Sequence, residues 1–339
     1  METQRLYHDG ESVPEINSNL TAGVNLTKAR RLKENLNIAF IGPSPKVPFD
    51  INKSVALPML NASLNINGRP NSDVVRPVVS AIDIGRRPRG KWTIDFGLMD
   101  KEQAAFYELP FEYVKKNILP LRANRRDDYR GQWWQYARPR PEMRAALIGK
   151  SRYLVTPRVA KHRVFIWLNP VVLANDGTVI IAKDDDYTFG ILQSSVHELW
   201  ARGLGTQLRE AESGFRYTPT TTFETFPFPK PTPEQAEVIS QSAKQLNELR
   251  ERWLSPAGDE VGPSELKLRT LTNLYNDHPT WLELAHKKLD EAVLLAYGWG
   301  LSSTSADILA RLLALNLERE PANNIIVDEE DESSEQVTE

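Results

Sequence analysis

The chain has 339 residues, 40% hydrophobic and 26% charged, enough for two or three domains each with its own core. No run of 18 apolar residues occurs, which excludes a membrane-spanning helix, and the opening Met1-Glu2-Thr3-Gln4-Arg5 lacks the apolar stretch of a secretory signal. With no cysteine, disulfides, thiolate zinc sites and cysteine nucleophiles are excluded together, which suits a reducing cytoplasm.

The first stretch reads as mixed α/β. Leu36-Asn37-Ile38-Ala39-Phe40-Ile41-Gly42 is an apolar run closed by Gly and Pro, the pattern of a buried strand, and residues 53–61 suit a short helix. With nothing ahead of Met1, this piece is too small for a whole nucleotide-binding domain and is expected to be the end of one. From residue 68 to 229, strands and helices alternate. Trp92-Thr93-Ile94-Asp95-Phe96, Arg152-Tyr153-Leu154-Val155-Thr156, Arg163-Val164-Phe165-Ile166-Trp167-Leu168 and Thr178-Val179-Ile180-Ile181-Ala182 are rich in β-branched and aromatic residues and predict strands. Asp100 opens a helix that runs to about residue 118. A second helix is predicted from about 189 to 202, with Gly203 as its stop.

Thr225-Phe226-Pro227-Phe228-Pro229-Lys230-Pro231-Thr232-Pro233 is a proline-dense connector, extended rather than helical. Beyond it the pattern is all helix: residues 233–254, a break at 255–263, then 264–275, 281–297 and 304–317, with Ser264 and Thr304 as caps. The acidic stretch after Arg319 predicts disorder. The expected class is α+β, a mixed α/β domain followed by an all-α C-terminal helical domain.

Catalytic motifs are missing one by one. Amino-methyl transfer needs an Asn/Asp-Pro-Pro-aromatic loop to hold the amine and stack on the flipped base. Here Asn169-Pro170 is followed by two valines and reads as a turn after a strand. No G-x-G-x-x-G loop follows a strand. His197-Glu198-Leu199-Trp200-Ala201 starts like a zinc-protease helix but has Ala201 where the second histidine must stand. Glu265-Leu266-Lys267 has a nuclease-like spacing at a helix start, without a strand or partner acid, and reads as surface charge. Asp184-Asp185-Asp186 predicts a capped strand-to-helix turn rather than a metal site. Neither a catalytic residue nor a metal site is expected.

The basic residues carry more information. The net charge of −3 hides a tail, residues 318–339, with nine acids and one arginine, so the remainder stands at +5. Residues 122–163 alone hold twelve Lys/Arg against three Asp/Glu. That is the footprint of a phosphate-binding surface, although charge by itself equally allows a solvated cationic face. Arg125-Arg126-Asp127-Asp128-Tyr129-Arg130-Gly131-Gln132-Trp133-Trp134-Gln135-Tyr136-Ala137-Arg138-Pro139-Arg140-Pro141 mixes arginine, aromatics and proline. Arginine forks grip phosphates and read guanine, and rings stack or wedge. Proline lowers the entropy lost when a loop docks. Arg86-Arg87-Pro88-Arg89-Gly90-Lys91 has the same character. For at least one of Trp133 and Trp134, core packing is the competing expectation.

Several strings are familiar in order: Ile16-Asn17-Ser18-Asn19-Leu20-Thr21, Phe49-Asp50-Ile51, Asn67-Gly68-Arg69-Pro70-Asn71-Ser72-Asp73-Val74-Val75-Arg76-Pro77 and Arg87-Pro88-Arg89-Gly90. So are Trp133-Trp134, Arg138-Pro139-Arg140-Pro141-Glu142-Met143-Arg144, Thr156-Pro157-Arg158-Val159-Ala160-Lys161-His162-Arg163 and Tyr217-Thr218-Pro219-Thr220-Thr221-Thr222-Phe223-Glu224-Thr225-Phe226-Pro227-Phe228-Pro229. Together, up to Arg319, they closely resemble the C-terminal part of the MmeI-like DNA methyltransferases, which belong to type IIL restriction–modification and related phage-defence enzymes.

The resemblance implies a division into the end of a class I methyltransferase domain (1–67), a target-recognition domain (68–229), a helical C-terminal domain (230–319) and a disordered tail (320–339). The family's upstream nuclease, helical spacer, cofactor loop and Asn-Pro-Pro-aromatic motif have no counterpart here. The chain therefore reads as a split subunit, a truncated reading frame or an excised fragment.

The function implied is sequence-specific recognition of double-stranded DNA for an adenine-N6 methyltransferase. S-adenosylmethionine would be bound by the complete enzyme, not by this chain, and the methyltransferase would be a partner chain or missing domain. Backbone phosphate contacts are assigned to Arg86, Arg87, Arg89, Lys91, Arg158, Lys161 and Arg163. The resemblance places base reading between Leu204-Gly205-Thr206 and Tyr217-Thr218-Pro219. That loop offers Gln207, Arg209, Glu210 and Glu212, where Gln suits adenine, Arg guanine and Glu cytosine. Arg138 and Arg140 fit either role. The competing function is a protein-interaction module whose helices and acidic tail dock a partner, the basic patch being incidental.

Overall fold

The computed structural model describes residues 6–8, 11–13, 24–123, 131–207, 214–257 and 261–322. A hairpin of β1 (Leu6–His8) and β2 (Glu11–Val13) comes first. Strands β3 (Ala39–Ile41) and β4 (Asp50–Ile51) follow, then helix α1 (Lys53–Leu60). Strand β5 (Val75–Val79), helix α2 (Ala81–Gly85) and strand β6 (Trp92–Ile94) come next. Helices α3 (Lys101–Ala105), α4 (Glu108–Asn117), α5 (Leu119–Ala123) and α6 (Pro141–Leu147) lead to the central strands. These are β7 (Tyr153–Pro157), β8 (Val159–Ala160), β9 (Ile166–Leu168), β10 (Leu173–Ala174) and β11 (Thr178–Ile181).

Helices α7 (Asp186–Gln193) and α8 (Ser195–Leu204) precede a second hairpin, β12 (Thr206–Gln207) and β13 (Phe215–Arg216). Five helices close the described chain: α9 (Pro233–Leu254), α10 (Pro263–Leu268), α11 (Leu271–Asp277), α12 (Thr280–Ala296) and α13 (Ser305–Glu318). The α+β class expected from the sequence is what the chain adopts.

Two four-stranded sheets and one three-stranded sheet form the scaffold, in the orders β10-β5-β6-β4, β3-β11-β7-β9 and β12-β13-β8. β7 and β11 are central, antiparallel and buried along their whole length, which is why they read as unbroken apolar runs rather than alternating ones. The turn at residues 175–177 passes the chain from β10 in one sheet to β11 in the other, so the two sheets meet at a seam. Gly42 lies against that turn, where a Cβ would stand 2.1 Å from the Asn175 carbonyl oxygen. Only glycine allows the backbones to approach so closely.

One core holds the first sheet, α1, α3, α4 and both Trp133 and Trp134. The other holds the second sheet together with α7, α8 and the C-terminal helices. Helix α9 lies directly on α7: a Cβ at Gly190 would meet Ile239 at 2.8 Å and Ala243 at 3.0 Å. From α9, the buried Arg250 reaches the Phe165 carbonyl at 2.8 Å and the Gln193 side chain at 3.1 Å. The divisions expected at 67/68 and 229/230 thus fall within shared sheets and a shared core, since β3 pairs with β11, β4 with β6, and the helices close the second core.

Three predicted helices are each two. The stretch from Asp100 breaks after Ala105 because Pro110 cannot donate to the Phe106 carbonyl as a continuous helix would require; α4 restarts at Glu108, which puts Pro110 in its first turn. Asp100 itself caps α3 through a capping box with Gln103. The second stretch starts earlier, where the Asp185 side chain accepts from Thr188 N, and is interrupted where Ser194 caps α8. Gly203 lies inside α8 and the helix ends at Gly205; Gly203 is small because a Cβ there would meet Leu26 at 2.3 Å. The third stretch divides at Thr270, which caps α11. Ser264 does not cap α10, because Gly262 takes that position and Pro263 leads the helix. Thr304 caps α13 as expected. Strand β5 escaped prediction because it carries Pro77, which cannot donate to a ladder.

Candidate nucleic-acid interface

The second hairpin stands on a rigid base. β13 pairs with β8 on one side and β12 on the other, so Thr206, Arg216 and Val159 are register partners in one row, while Phe215 opposite is buried. Gly214, at φ +82°, enters β13 where a Cβ would lie 1.9 Å from the Ala160 carbonyl oxygen, a place open only to glycine. Beneath the hairpin the guanidinium of Arg163 is buried and donates to Thr156 Oγ1 at 3.0 Å, the Phe215 carbonyl at 3.1 Å and the Pro157 carbonyl. It also stacks 4.6 Å from the Phe215 ring and 5.0 Å from that of Tyr217. Burial pushes its pKa down to about 10. Arg163 is therefore corrected from a phosphate contact to an internal clamp on β13, because a guanidinium buried to 3% exposure and bonded to interior oxygens presents no face to DNA.

His197 completes the clamp, with its Nε2 2.9 Å from the Tyr217 hydroxyl. Burial, and then the positive charge of Arg163, hold its pKa down to about 3, so the ring is neutral. The zinc-protease-like start of α8 is thus part of the core, and Ala201 is fully buried. The reading loop proposed from the sequence lies largely outside the described residues: Arg209, Glu210 and Glu212 fall in 208–213, and of Gln207 only the backbone is described.

The remaining cations divide by role. Arg87 donates to the carbonyls of Leu254 and Leu266 at 2.6 and 2.8 Å, tying the end of α9 to α10; it is corrected to a structural brace. Arg89 forms a two-point ion pair with Asp83 and reaches Ser80 Oγ. Hydrogen bonds from Arg89 and Ser80 overcome the opposing effect of burial and hold the Asp83 carboxyl well below the usual range. Lys91 donates to Asn52 Oδ1 at 2.7 Å. Arg138, Arg140 and Arg158 converge at the seam of the two sheets. Arg138 exchanges backbone hydrogen bonds with Ser44 at 2.9 and 3.0 Å, and Ser44 donates to Asp176. Partial burial and the charges of Arg138 and Arg158 lower the pKa of Arg140. Arg140, at a left-handed φ of 55°, caps the Pro141 start of α6.

On another face a cleft of about 240 Å³ opens between α2, the β7–β8 segment and α11, with Arg86, Lys161 and His162 on its rim. Trp133 and Trp134 are both core residues, Trp134 donating to the Met99 carbonyl at 2.9 Å. The three acids after β11 each have their own partner, Asp184 with Lys150, Asp185 with the start of α7 and Asp186 with Arg152. Asn169 forms the expected turn by accepting from Val171 N. Glu265 pairs with Arg269 along α10. Among the described residues, no group of three His, Asp or Glu is arranged to hold a metal ion, and no helix is long and apolar enough to cross a membrane. Arg216 was not singled out from the sequence; its only signal there was its place just before Tyr217 in a familiar string.

A short strand pair thus stands on a buried clamp, with cationic side chains at the seam of the sheets and at the cleft. Residues 70–230 match the model of the MmeI target recognition domain. The type IIL restriction–modification enzyme MmeI, solved in complex with DNA, is 20% identical to this chain at a TM-score of 0.69. The alignment covers 91% of this chain and 39% of that one. The chain thus shares the fold of a part of MmeI and spans well under half its length. No match is found among curated proteins.

Proposed function

We propose that the chain reads a specific sequence in double-stranded DNA on behalf of an adenine-N6 methyltransferase of a type IIL restriction–modification or phage-defence system. The observation that carries this reading is the target-recognition match over residues 70–230, which takes in the clamped hairpin, the seam arginines and most of the cleft. Phosphate contacts position such a complex and base-edge contacts specify it. The hairpin loop carries Arg209, Glu210 and Glu212, side chains able to read guanine and cytosine edges. The buried clamp under β13 fixes the strand from which that loop returns, the kind of support a base-reading site needs. Arg138, Arg140 and Arg158 supply a second concentration of positive charge.

The methyl transfer, with S-adenosylmethionine as donor, is assigned to a methyltransferase domain outside this sequence. Its residues would hold the cofactor and supply the Asn-Pro-Pro-aromatic loop. Selection of bound duplexes from a randomised pool, using the chain with a methyltransferase partner, tests the reading. A single consensus containing a methylatable adenine supports it; sequence-independent binding, or none, overturns it.

A further inference from the structure

We propose that Arg86, Lys161 and Arg216 form one phosphate-binding face and that the cleft between them seats the deoxyribose of a DNA strand. This rests on the DNA reading above and extends the DNA-binding surface onto the helical C-terminal region.

The face is continuous. Val159, 36% exposed, both lines the cleft and stands beside Arg216 in the register of the three-stranded sheet. Thr206, the next in that row, is exposed, and β12 and β13 belong to the same sheet. The cleft floor is apolar, with the buried Ile84, Val164 and Leu271; Ile82 lies exposed at its edge, and α11 supplies the far wall. No acid is among the lining residues.

Among the described residues, the cations on this face have no anionic hydrogen-bond or ion-pair partner. Lys161 Nζ donates to the neutral Asn276 Oδ1 at 3.0 Å, an oxygen that also lies 2.8 Å from His162 Nε2. Among the described residues, no hydrogen bond or ion pair holds the side chain of Arg86 or of Arg216. By contrast Arg89, Arg144, Arg152, Arg202 and Arg319 each face a carboxylate.

Cations without acids beside an apolar recess match a sugar–phosphate strand: the C–H face of deoxyribose covers the floor while the flanking phosphates meet Lys161 and the arginines. The segment at 157–160 separates this face from the seam arginines, since Pro157 and Val159 line the cleft while Arg158 between them lies beside Arg140. The two faces are therefore separable by mutation.

The test measures binding of the full chain to a random-sequence duplex across a salt series. Replacing Arg86, Lys161 and Arg216 by Ala should reduce the log–log salt slope by about 0.9 for each phosphate no longer neutralised. Ile82→Glu, at a position 53% exposed, should weaken binding at least about tenfold through like-charge repulsion. Unchanged thermal unfolding establishes that the variants fold. A slope and affinity equal to wild type in all of them, with DNA still bound, overturns this inference and leaves the DNA reading standing. A weakening confined to Arg138, Arg140 and Arg158 variants does the same. Absence of duplex binding by the wild-type chain at every salt concentration overturns both.

Discussion

His197, buried and neutral beneath the hairpin, should make the fold less stable on acidification, because the unfolded chain takes up a proton that the folded one refuses, and the effect can be sized from the structure. The ring is buried against Tyr217 and Arg163, and its pKa is held down to about 3 from an ordinary value of 6.5. A depressed folded-state pKa means that the stability concerned is complete above pH 6.5 and is lost as the pH falls toward 3. Going from about pH 7.5 to 5 crosses about 1.5 units of that window, which amounts to about 2 kcal/mol. His197→Gln keeps a group able to hydrogen-bond to the Tyr217 hydroxyl but does not titrate. Urea unfolding of both proteins at the two pH values isolates the share of His197. His286, also held down to about 3 by burial, adds a parallel loss to both proteins and cancels in the comparison. The variant should lose about 2 kcal/mol less than wild type on acidification. Equal losses would refute a buried neutral His197.

Other outcomes follow from single interactions. Burial raises the pKa of Asp290 to about 6, so its favourable contribution exists below 3.8 and disappears as pH rises through 6. Asp290→Asn should therefore stabilise the protein at pH 7.5 by about 1–2 kcal/mol, the residual hydration of a half-buried group limiting the gain, with the advantage gone near pH 3 in a thermal-unfolding series. Gly190→Ala should cost about 1–3 kcal/mol by overpacking α7 against α9, read as a lower urea midpoint with unchanged slope. Arg209→Ala should alter the selected consensus at one base pair, worth about 1–3 kcal/mol of discrimination, whereas Lys161→Ala should weaken all sequences alike; an identical consensus for wild type and Arg209→Ala removes Arg209 from base reading. The isolated chain should neither bind S-adenosylmethionine tightly nor methylate DNA, and micromolar binding by calorimetry would contradict that assignment.

The sequence by itself determined what depends on neighbours along the chain. The apolar run of β11, the capping residues Asp100 and Thr304, the proline-dense connector and helix α9 were all legible, because strand burial, capping and helix periodicity leave local marks. The uneven spread of charge was equally plain, and so were the family strings. Tertiary structure alone decided which of the cations face outward. Arg163 and Lys161 stand two residues apart in one basic run, yet one guanidinium is spent on Thr156, Pro157 and Phe215 while the other side chain rims an open cleft. Arg87 and Arg86 divide in the same way. Residue type records a charge, but whether that charge is consumed internally depends on carbonyls and carboxylates brought from distant elements. The same reason hid Arg216: its row with Val159 and Thr206 exists only once β8, β13 and β12 are in register, a long-range pairing that no local pattern encodes.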